Sequence, residues 1–407
     1  MLVTESPEAL RAWLSQRHPE VELPEVAKIV AELDEREDRA SVAVASALGY
    51  SDRDFRALWV DQQNYLRRQC DVTHTPRAST IVSARNRPAA LPWRPYGNVL
   101  VCLPSNAPIP LAPILAVSGM LAGNRLVFTR PASTASIVEI LFEPFAGSRQ
   151  LALWTRSPRD LIKDELDLFD HVYFMGSSSA YPQLAFESAR AGCGLHFEGQ
   201  GNGFVLVSES ATSELDEVAR QIVRSKAFCN GRMCSAPNGV LVADSIFADL
   251  WEKLRAEAAR VDLTDRLGAL VASEAWHELA GRATLTCGSA AWQNLRNPVF
   301  ASTSSPSDAL AEEFFGPVAW IGNYSSFADC LTVLEKSPFR LQATYFGRDH
   351  SEAEALLETR FARYCFNMNP ADQDPLLPWG NFAGSGYSRV QTFAEKFQEP
   401  VLVEGGL

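Results

Sequence analysis

From residue 97 onward the chain repeats one unit, a short continuous apolar run followed by a stretch with helical spacing. The runs are Asn98-Val99-Leu100-Val101-Cys102-Leu103, Leu126-Val127-Phe128, Leu151-Ala152-Leu153-Trp154 and His171-Val172-Tyr173-Phe174. After the first, Leu111, Ile114, Leu115 and Ser118 share one helix face, and Gly123-Asn124 ends it. A strand apolar on both faces needs cover on both, so this alternation requires a mostly parallel sheet between helices. A second set begins after Glu198. Phe204-Val205-Leu206-Val207 is a strand, and Leu215, Val218, Ile222 and Val223 line a helix that Thr212 can cap. Gly239-Val240-Leu241-Val242, Val318-Ala319-Trp320-Ile321 and Ala343-Thr344-Tyr345-Phe346 continue the sheet. The fold class is therefore α/β, with two Rossmann-type parallel-sheet domains.

The flanks obey other rules. The first ninety residues carry helical spacing: Val26, Ile29, Val30 and Leu33 recur at i, i+3, i+4, i+7 behind Pro24. Thr73 to Pro95 is rich in Pro and Thr around a β-prone Ser79-Thr80-Ile81-Val82, which suggests a hairpin or arm. The C-terminus is expected to form a helix near Val390 to Phe397, then a strand at Pro400-Val401-Leu402-Val403. The expected division is 1–199, with the 73–95 arm inserted, then 200–380, then a return segment and terminal strand over 381–407.

A net charge of −12 with no stripe of Lys and Arg argues against a nucleic-acid partner. No apolar run reaches membrane-spanning length, and Met1 to Glu8 is acidic, unlike an export signal. Eight scattered cysteines without C-x-x-C spacing argue against a disulfide scaffold or a zinc site, so no metal is expected. A reducing cytoplasm fits this usage.

One cysteine stands apart. Cys234 lies in Phe228-Cys229-Asn230-Gly231-Arg232-Met233-Cys234-Ser235-Ala236-Pro237, a tight connection between an amphipathic helix and an apolar strand. Such a turn can present a thiol to a cleft, as a nucleophile requires, although free cysteines are commonly buried packing groups. Asn106 ends a parallel strand, where its amide can serve an oxyanion or merely complete a turn after proline. Met175-Gly176-Ser177-Ser178-Ser179 joins a strand to a helix and can offer backbone N–H groups to a phosphate. Glu198, flanked by Gly199-Gln200-Gly201 at the junction of the two sets, is either a general base or a solvated carboxylate. Glu313-Phe314-Phe315-Gly316-Pro317 precedes a strand and by itself is an ordinary loop.

In this order the motifs resemble the aldehyde dehydrogenase superfamily. P-W-N corresponds to Pro104-Ser105-Asn106, and A-x-G-N to Ala122-Gly123-Asn124, followed by Arg130-Pro131-Ala132-Ser133. F-T-G-S corresponds to Phe174-Met175-Gly176-Ser177 and E-L-G-G-K to Glu198-Gly199-Gln200-Gly201-Asn202. G-Q-x-C-x-A corresponds to Gly231-Arg232-Met233-Cys234-Ser235-Ala236. E-E-I-F-G-P appears as Glu312 to Pro317, and the late glycine motif as Pro378-Trp379-Gly380-Asn381 with Ser385-Gly386.

The resemblance implies NAD(P)-dependent oxidation of an aldehyde to a carboxylic acid. Cys234 would form a hemithioacetal and then a thioester, which water activated by Glu198 hydrolyses, while Asn106 and the Cys234 N–H stabilise the oxyanion. Ser105, Arg130, Ser133, Gly176, Ser177, Glu313 and Phe315 would bind the cofactor, NAD or NADP. It also implies that the arm and the terminal strand join a homodimer or homotetramer. The departures matter. Arg130 stands for the family lysine, with one extra residue before it, and Ser133 stands where many NAD-specific members carry glutamate; together they favour tolerance of, or preference for, NADP. Arg232 and Ser105 reshape the mouth of the pocket. Cys229, five residues before Cys234, either packs or forms a regulatory disulfide. Two other functions compete: a coenzyme A-dependent acyl-CoA reductase or acylating dehydrogenase, and a non-catalytic relative. Trp379, Phe382, Met233 and Phe228 suggest an aromatic or apolar pocket.

Overall fold

The computed structural model describes residues 1–16, 23–72, 89–90, 93–263, 274–286, 297–303, 310, 313–381, 384–393, 395–400 and 403–404. The apolar runs form the strands their composition demands. Val99, Leu100, Val101, Leu126, Val127 and Phe128 have no exposed surface. They lie in an eight-stranded sheet ordered Leu2–Thr4, Leu151–Trp154, Arg125–Thr129, Asn98–Cys102, His171–Met175, Gly194–Glu198, Gly386–Gln391, Trp379–Asn381. The first six strands are parallel, and the last two are antiparallel. The chain runs outward from Asn98–Cys102 on one side, then returns to its other side at His171–Met175. This reversal opens a crevice beyond the carboxyl ends of those two strands, where ligands of such sheets bind.

The second sheet is ordered Thr284–Leu285, Val299–Ser302, Val318–Tyr324, Pro237–Ala243, Gly203–Val207, Gln342–Phe346, Arg363–Phe366. All its neighbours are parallel except the first pair. Helices Leu215–Ala227, Phe247–Ala258 and Phe327–Glu335 bury their apolar faces in the same core as these strands.

Three features depart from the sequence reading. Leu2–Thr4, in the segment read as helical, is an edge strand beside Leu151–Trp154. It precedes helix Pro7–Leu14, whose C-terminal carbonyls receive Arg125: its Nη1 donates to the carbonyls of Trp13, Leu14 and Gln16 at 3.0, 2.9 and 2.5 Å. This satisfies part of a fully buried guanidinium and orphan acceptors of the helix end together. The segment expected as a helix near 390–397 is instead strand Gly386–Gln391 and a short 3-10 turn, Glu395–Phe397. Pairing with Gly194–Glu198 draws it out; the open edge of a sheet outweighs a weak helical spacing. Both Trp379–Asn381 and Gly386–Gln391 lie on the first sheet, so the chain returns there from Trp379.

Helices Leu23–Asp34, Glu37–Leu48 and Asp52–Val72 agree with the reading of the N-terminal region. The β-prone 79–82 run lies outside the described residues. The described ends of the arm form two small antiparallel sheets with the C-terminus: Trp93–Pro95 pairs with Gln398–Pro400, and Ala89–Ala90 with Val403–Glu404. Among the described residues no helix is long and apolar enough to cross a membrane.

Candidate active site

The turn bearing Cys234 is built against local preference. Helix Leu215–Ala227 ends, and Cys229, Asn230 and Gly231 follow with φ of 49°, 56° and 66°. Three successive left-handed residues are sustained only where the surroundings dictate them. Here the N-terminal helices do so. Asn230 Nδ2 donates to the carbonyls of Leu48 and Gly49 at 3.3 and 3.0 Å, and the Asp54 carboxylate accepts the Cys229 N–H at 3.2 Å. At Gly231 a Cβ would lie 2.2 Å from the Gly316 carbonyl oxygen, so no side chain fits. Cys229 is fully buried with a free thiol, the packing role of the two considered for it.

Cys234 is partly exposed at the floor of a cleft of about 2180 Å³, which Asn106, Glu198 and Glu313 also line. Asn106 reaches the nucleophile turn directly: its Nδ2 donates to the Arg232 carbonyl at 2.6 Å. One amide proton is thus committed to holding the turn, and the second is the one available to a ligand. Tyr50 O–H donates to the Asn106 carbonyl at 2.5 Å and fixes its backbone. On the other side, Gly201 packs so closely that a Cβ there would sit 1.7 Å from the Cys234 carbonyl oxygen. Gly201→Ala is therefore expected to displace the Cys234 turn. A fall of at least about 100-fold in turnover is expected, the scale of a 1 Å misplacement at a reacting centre. Steady-state kinetics of the folded variant check this.

Burial pushes the Cys234 thiol up to about 12, reinforced by the negative charges of Glu313 and Glu198; the backbone N–H groups of Cys234 and Ser235 pull the other way. At neutral pH the resting site holds a thiol, and attack requires a proton acceptor or a change in the surrounding charge.

Glu198 ends the strand Gly194–Glu198, and its Oε1 receives three donors. Tyr173 O–H lies at 2.6 Å, Lys396 Nζ at 2.6 Å and His196 Nε2 at 3.0 Å. Burial would raise this carboxyl, but the Lys396 charge and the His196 and Lys396 hydrogen bonds outweigh it and hold Glu198 well below the usual carboxylate range. Burial, with the Lys396 charge, lowers His196 below its ordinary value despite the opposing pull of Glu198, so a neutral ring donates Nε2–H. The sequence reading missed all three partners. Tyr173 lies in the apolar run His171 to Phe174, which reads as sheet core, while His196, its register neighbour on the next strand, and Lys396, in a segment expected to be helical, carry no signal that points to Glu198.

Glu313 accepts the Gly201 N–H at 3.2 Å. Burial pushes its carboxyl up to about 8, against the Gly201 hydrogen bond and the charge of Lys226. Lys226 is itself fully buried and donates to Asn238 Oδ1 at 2.9 Å. Phe315 holds φ at 34°, and Arg232 stacks over its ring at 5.3 Å, which accounts for arginine in a turn where the family carries glutamine. Ser105, Gly176 and Ser177 line the crevice between the carboxyl ends of strands Asn98–Cys102 and His171–Met175. Ser178, in the same turn, ties it down by donating to Gly384 O at 2.5 Å and accepting the Gln200 N–H at 2.9 Å.

Arg130 and Ser133 are not part of the cleft wall, although Pro131 is. Arg130 pairs with Glu139 at 3.0 Å, and Ser133 is exposed on the short 3-10 turn Ala132–Thr134. Among the described residues no group of three His, Cys, Asp or Glu side chains can hold a metal ion.

The arrangement suits a dinucleotide: a switch-point crevice with a Gly-Ser turn, the Glu313 carboxyl with one backbone donor, and the Phe315 ring lining the same cleft as the Cys234 thiol. Comparison with known proteins points the same way. The sequence matches the aldehyde dehydrogenase family over residues 3–401. It is 24% identical over 324 residues to a probable coniferyl aldehyde dehydrogenase of Pseudomonas aeruginosa, covering 73% of this chain and 66% of that protein. The chain spans between about half and two thirds of the length of such curated relatives. Its fold resembles that of aldehyde dehydrogenase 21 from Physcomitrella patens in complex with succinate, with a TM-score of 0.79 at 20% identity, covering 94% of this chain and 85% of that one. A glyceraldehyde-3-phosphate dehydrogenase of Methanocaldococcus jannaschii complexed with NADP gives 0.81 at 16% identity, covering 98% and 92%.

Proposed function

The chain belongs to the aldehyde dehydrogenase family, and on that premise we propose that it oxidises an aldehyde to a carboxylic acid with NAD or NADP, using Cys234 as nucleophile. The observation that carries this is the convergence of Cys234, Asn106 and Glu198 on one cleft beside the switch-point crevice. The Cys234 sulfur bonds to the aldehyde carbon as its thiol proton passes to solvent water in the open cleft, and the carbonyl oxygen becomes an oxyanion. The free Asn106 amide proton and the Cys234 N–H are the donors for that oxygen, a contribution on the order of 3 kcal/mol each at such sites. The nicotinamide, when bound, supplies the two-electron oxidation that turns the adduct into a thioester. Ser105, Gly176 and Ser177 would hold its phosphates, Glu313 its ribose, and Phe315 would pack near the ring. Glu198 then takes a proton from water as the water oxygen attacks the thioester, and the acid leaves with the Cys234 sulfur restored. The assay is an aldehyde panel with NAD or NADP, with and without coenzyme A, followed as reduced nicotinamide. Turnover without coenzyme A supports the proposal, and no turnover on any aldehyde overturns it.

One observation keeps the coenzyme A-dependent reading in play. Three donors already occupy Glu198 Oε1, which lowers its basicity, slows hydrolysis and leaves the thioester longer for a thiol acceptor. Turnover only with coenzyme A would establish that reading instead.

The segments 1–199 and 200–380 serve, in this proposal, as cofactor-binding and catalytic domains in a cytoplasmic homodimer or homotetramer. The short sheets of the arm with the C-terminus would join across the interface, and a monomer by light scattering would count against this. Arg130 would meet the adenosine ribose, with a 2′-phosphate displacing Glu139 from it. Arg130→Ala is then expected to weaken NADP at least about tenfold more than NAD, the effect of losing one charge-assisted pair. Equal losses in titrations with the two cofactors would remove Arg130 from that role.

A further inference from the structure

We infer that Lys396 is a positioning residue for Glu198: it clamps one carboxylate oxygen and leaves the other to face the cleft, so that hydrolysis proceeds with a fixed, ionised carboxylate. The inference rests on the proposed function and deepens it by naming the group that readies the hydrolytic base. Three donors converge on Oε1, whereas among the described residues none reaches Oε2, and the Glu198 side chain keeps 15% of its surface exposed in a cleft it shares with Cys234. The remaining lone pairs of Oε2 are those a water can use.

Among the described residues Lys396 has no other counter-ion. Its side chain is fully buried, with the ammonium 2.6 Å from Oε1 and 3.3 Å from the Tyr173 oxygen. It sits over the rings of Tyr173 and Phe393, at 5.7 and 5.2 Å. A buried ammonium in such a box is sustained only with an ionised partner, which makes the two charges interdependent. Geometry secures the placement as well. Strand Gly386–Gln391 pairs with the strand that carries Glu198, and the neighbouring Phe397 is buried and stacks on Tyr173 at 5.6 Å. The groups that face Glu198 are therefore Tyr173 from the adjacent strand, His196 from its own, Lys396 from the C-terminal turn and Cys234 from the nucleophile turn. Tyr65, on helix Asp52–Val72, and Glu313 lie one contact further out.

Without Lys396, burial would dominate and carry the carboxyl above its ordinary value. Lys396→Met is thus expected to move the acid limb of steady-state turnover upward by at least about two pH units. The single-turnover burst, which reports attack by Cys234, keeps its amplitude, and Lys396→Arg restores the wild-type limb. A limb that stays in place in a folded Lys396→Met protein overturns the inference. If that variant does not fold, the double variant Lys396→Met, Glu198→Gln leaves no charge unpaired and decides. If Lys396 acts through Glu198, the double variant turns over as slowly as Glu198→Gln alone; a further independent loss overturns the inference. An infrared difference spectrum separates failure of this inference from failure of the proposed function. In Lys396→Met the Glu198 carboxyl should give a protonated band at pH 7, whether or not any aldehyde is oxidised, and an ionised band there refutes the clamp.

Discussion

Cys234→Ala is expected to abolish aldehyde-dependent reduction of the nicotinamide, a loss of at least about four orders of magnitude, as for other removed covalent nucleophiles. The size follows from the chemistry: without the sulfur no adduct forms, and the Asn106 amide and backbone N–H groups have no oxyanion to serve. The fold should tolerate the change, because it removes a single partly exposed sulfur and the turn is held by Asn230, Asp54 and Gly231. Thermal stability should stay within about 1 kcal/mol of the parent. Cofactor binding, read by fluorescence quenching, should be retained. Oxidation that survives in Cys234→Ala would end the proposed mechanism.

Glu198→Gln should act on the second half of the reaction and on stability together. The first turnover still releases reduced nicotinamide as a burst, since Glu198 is not needed for attack by sulfur. Steady-state turnover should fall by about 10²–10⁴-fold, the usual contribution of a positioned base. The amide also strips the buried Lys396 of its counter-ion, which costs about 3–5 kcal/mol. Stopped-flow kinetics and a thermal melt read the two effects separately. Coenzyme A that restores turnover in this variant would indicate that the thioester passes to a thiol, the competing activity. Undiminished hydrolysis without coenzyme A would remove Glu198 from the mechanism.

Much of this was legible before any coordinates. The continuous apolar runs at 98–103, 126–128 and 151–154 can exist only inside a covered parallel sheet, because nothing else buries both faces of a strand. The order of short motifs around Asn106, Gly176, Glu198, Cys234 and Glu313 marked the candidate reacting groups, since each proposed role needs a particular residue type at the end of a strand or in a glycine turn. The partners of those groups were hidden. Tyr173 reads as sheet core, His196 carries no signal of its own, and Lys396 falls in a segment expected to be helical, because a hydrogen bond between residues 198 positions apart leaves no periodic trace.

The sequence by itself determined the α/β architecture and marked Cys234, Glu198 and Asn106 as the candidates for nucleophile, base and oxyanion donor, through burial patterns and residue chemistry that act locally. Only the tertiary structure decided how those groups are tuned. The pairing of Gly386–Gln391 with the edge of the first sheet carries a lysine into the interior beside Glu198, and the contact of Gly201 with Cys234 sets the nucleophile's place. The reason is physical: a strand's alternation is a property of its own side chains, whereas a carboxylate's charge depends on whatever the folded chain places within a few ångströms of it.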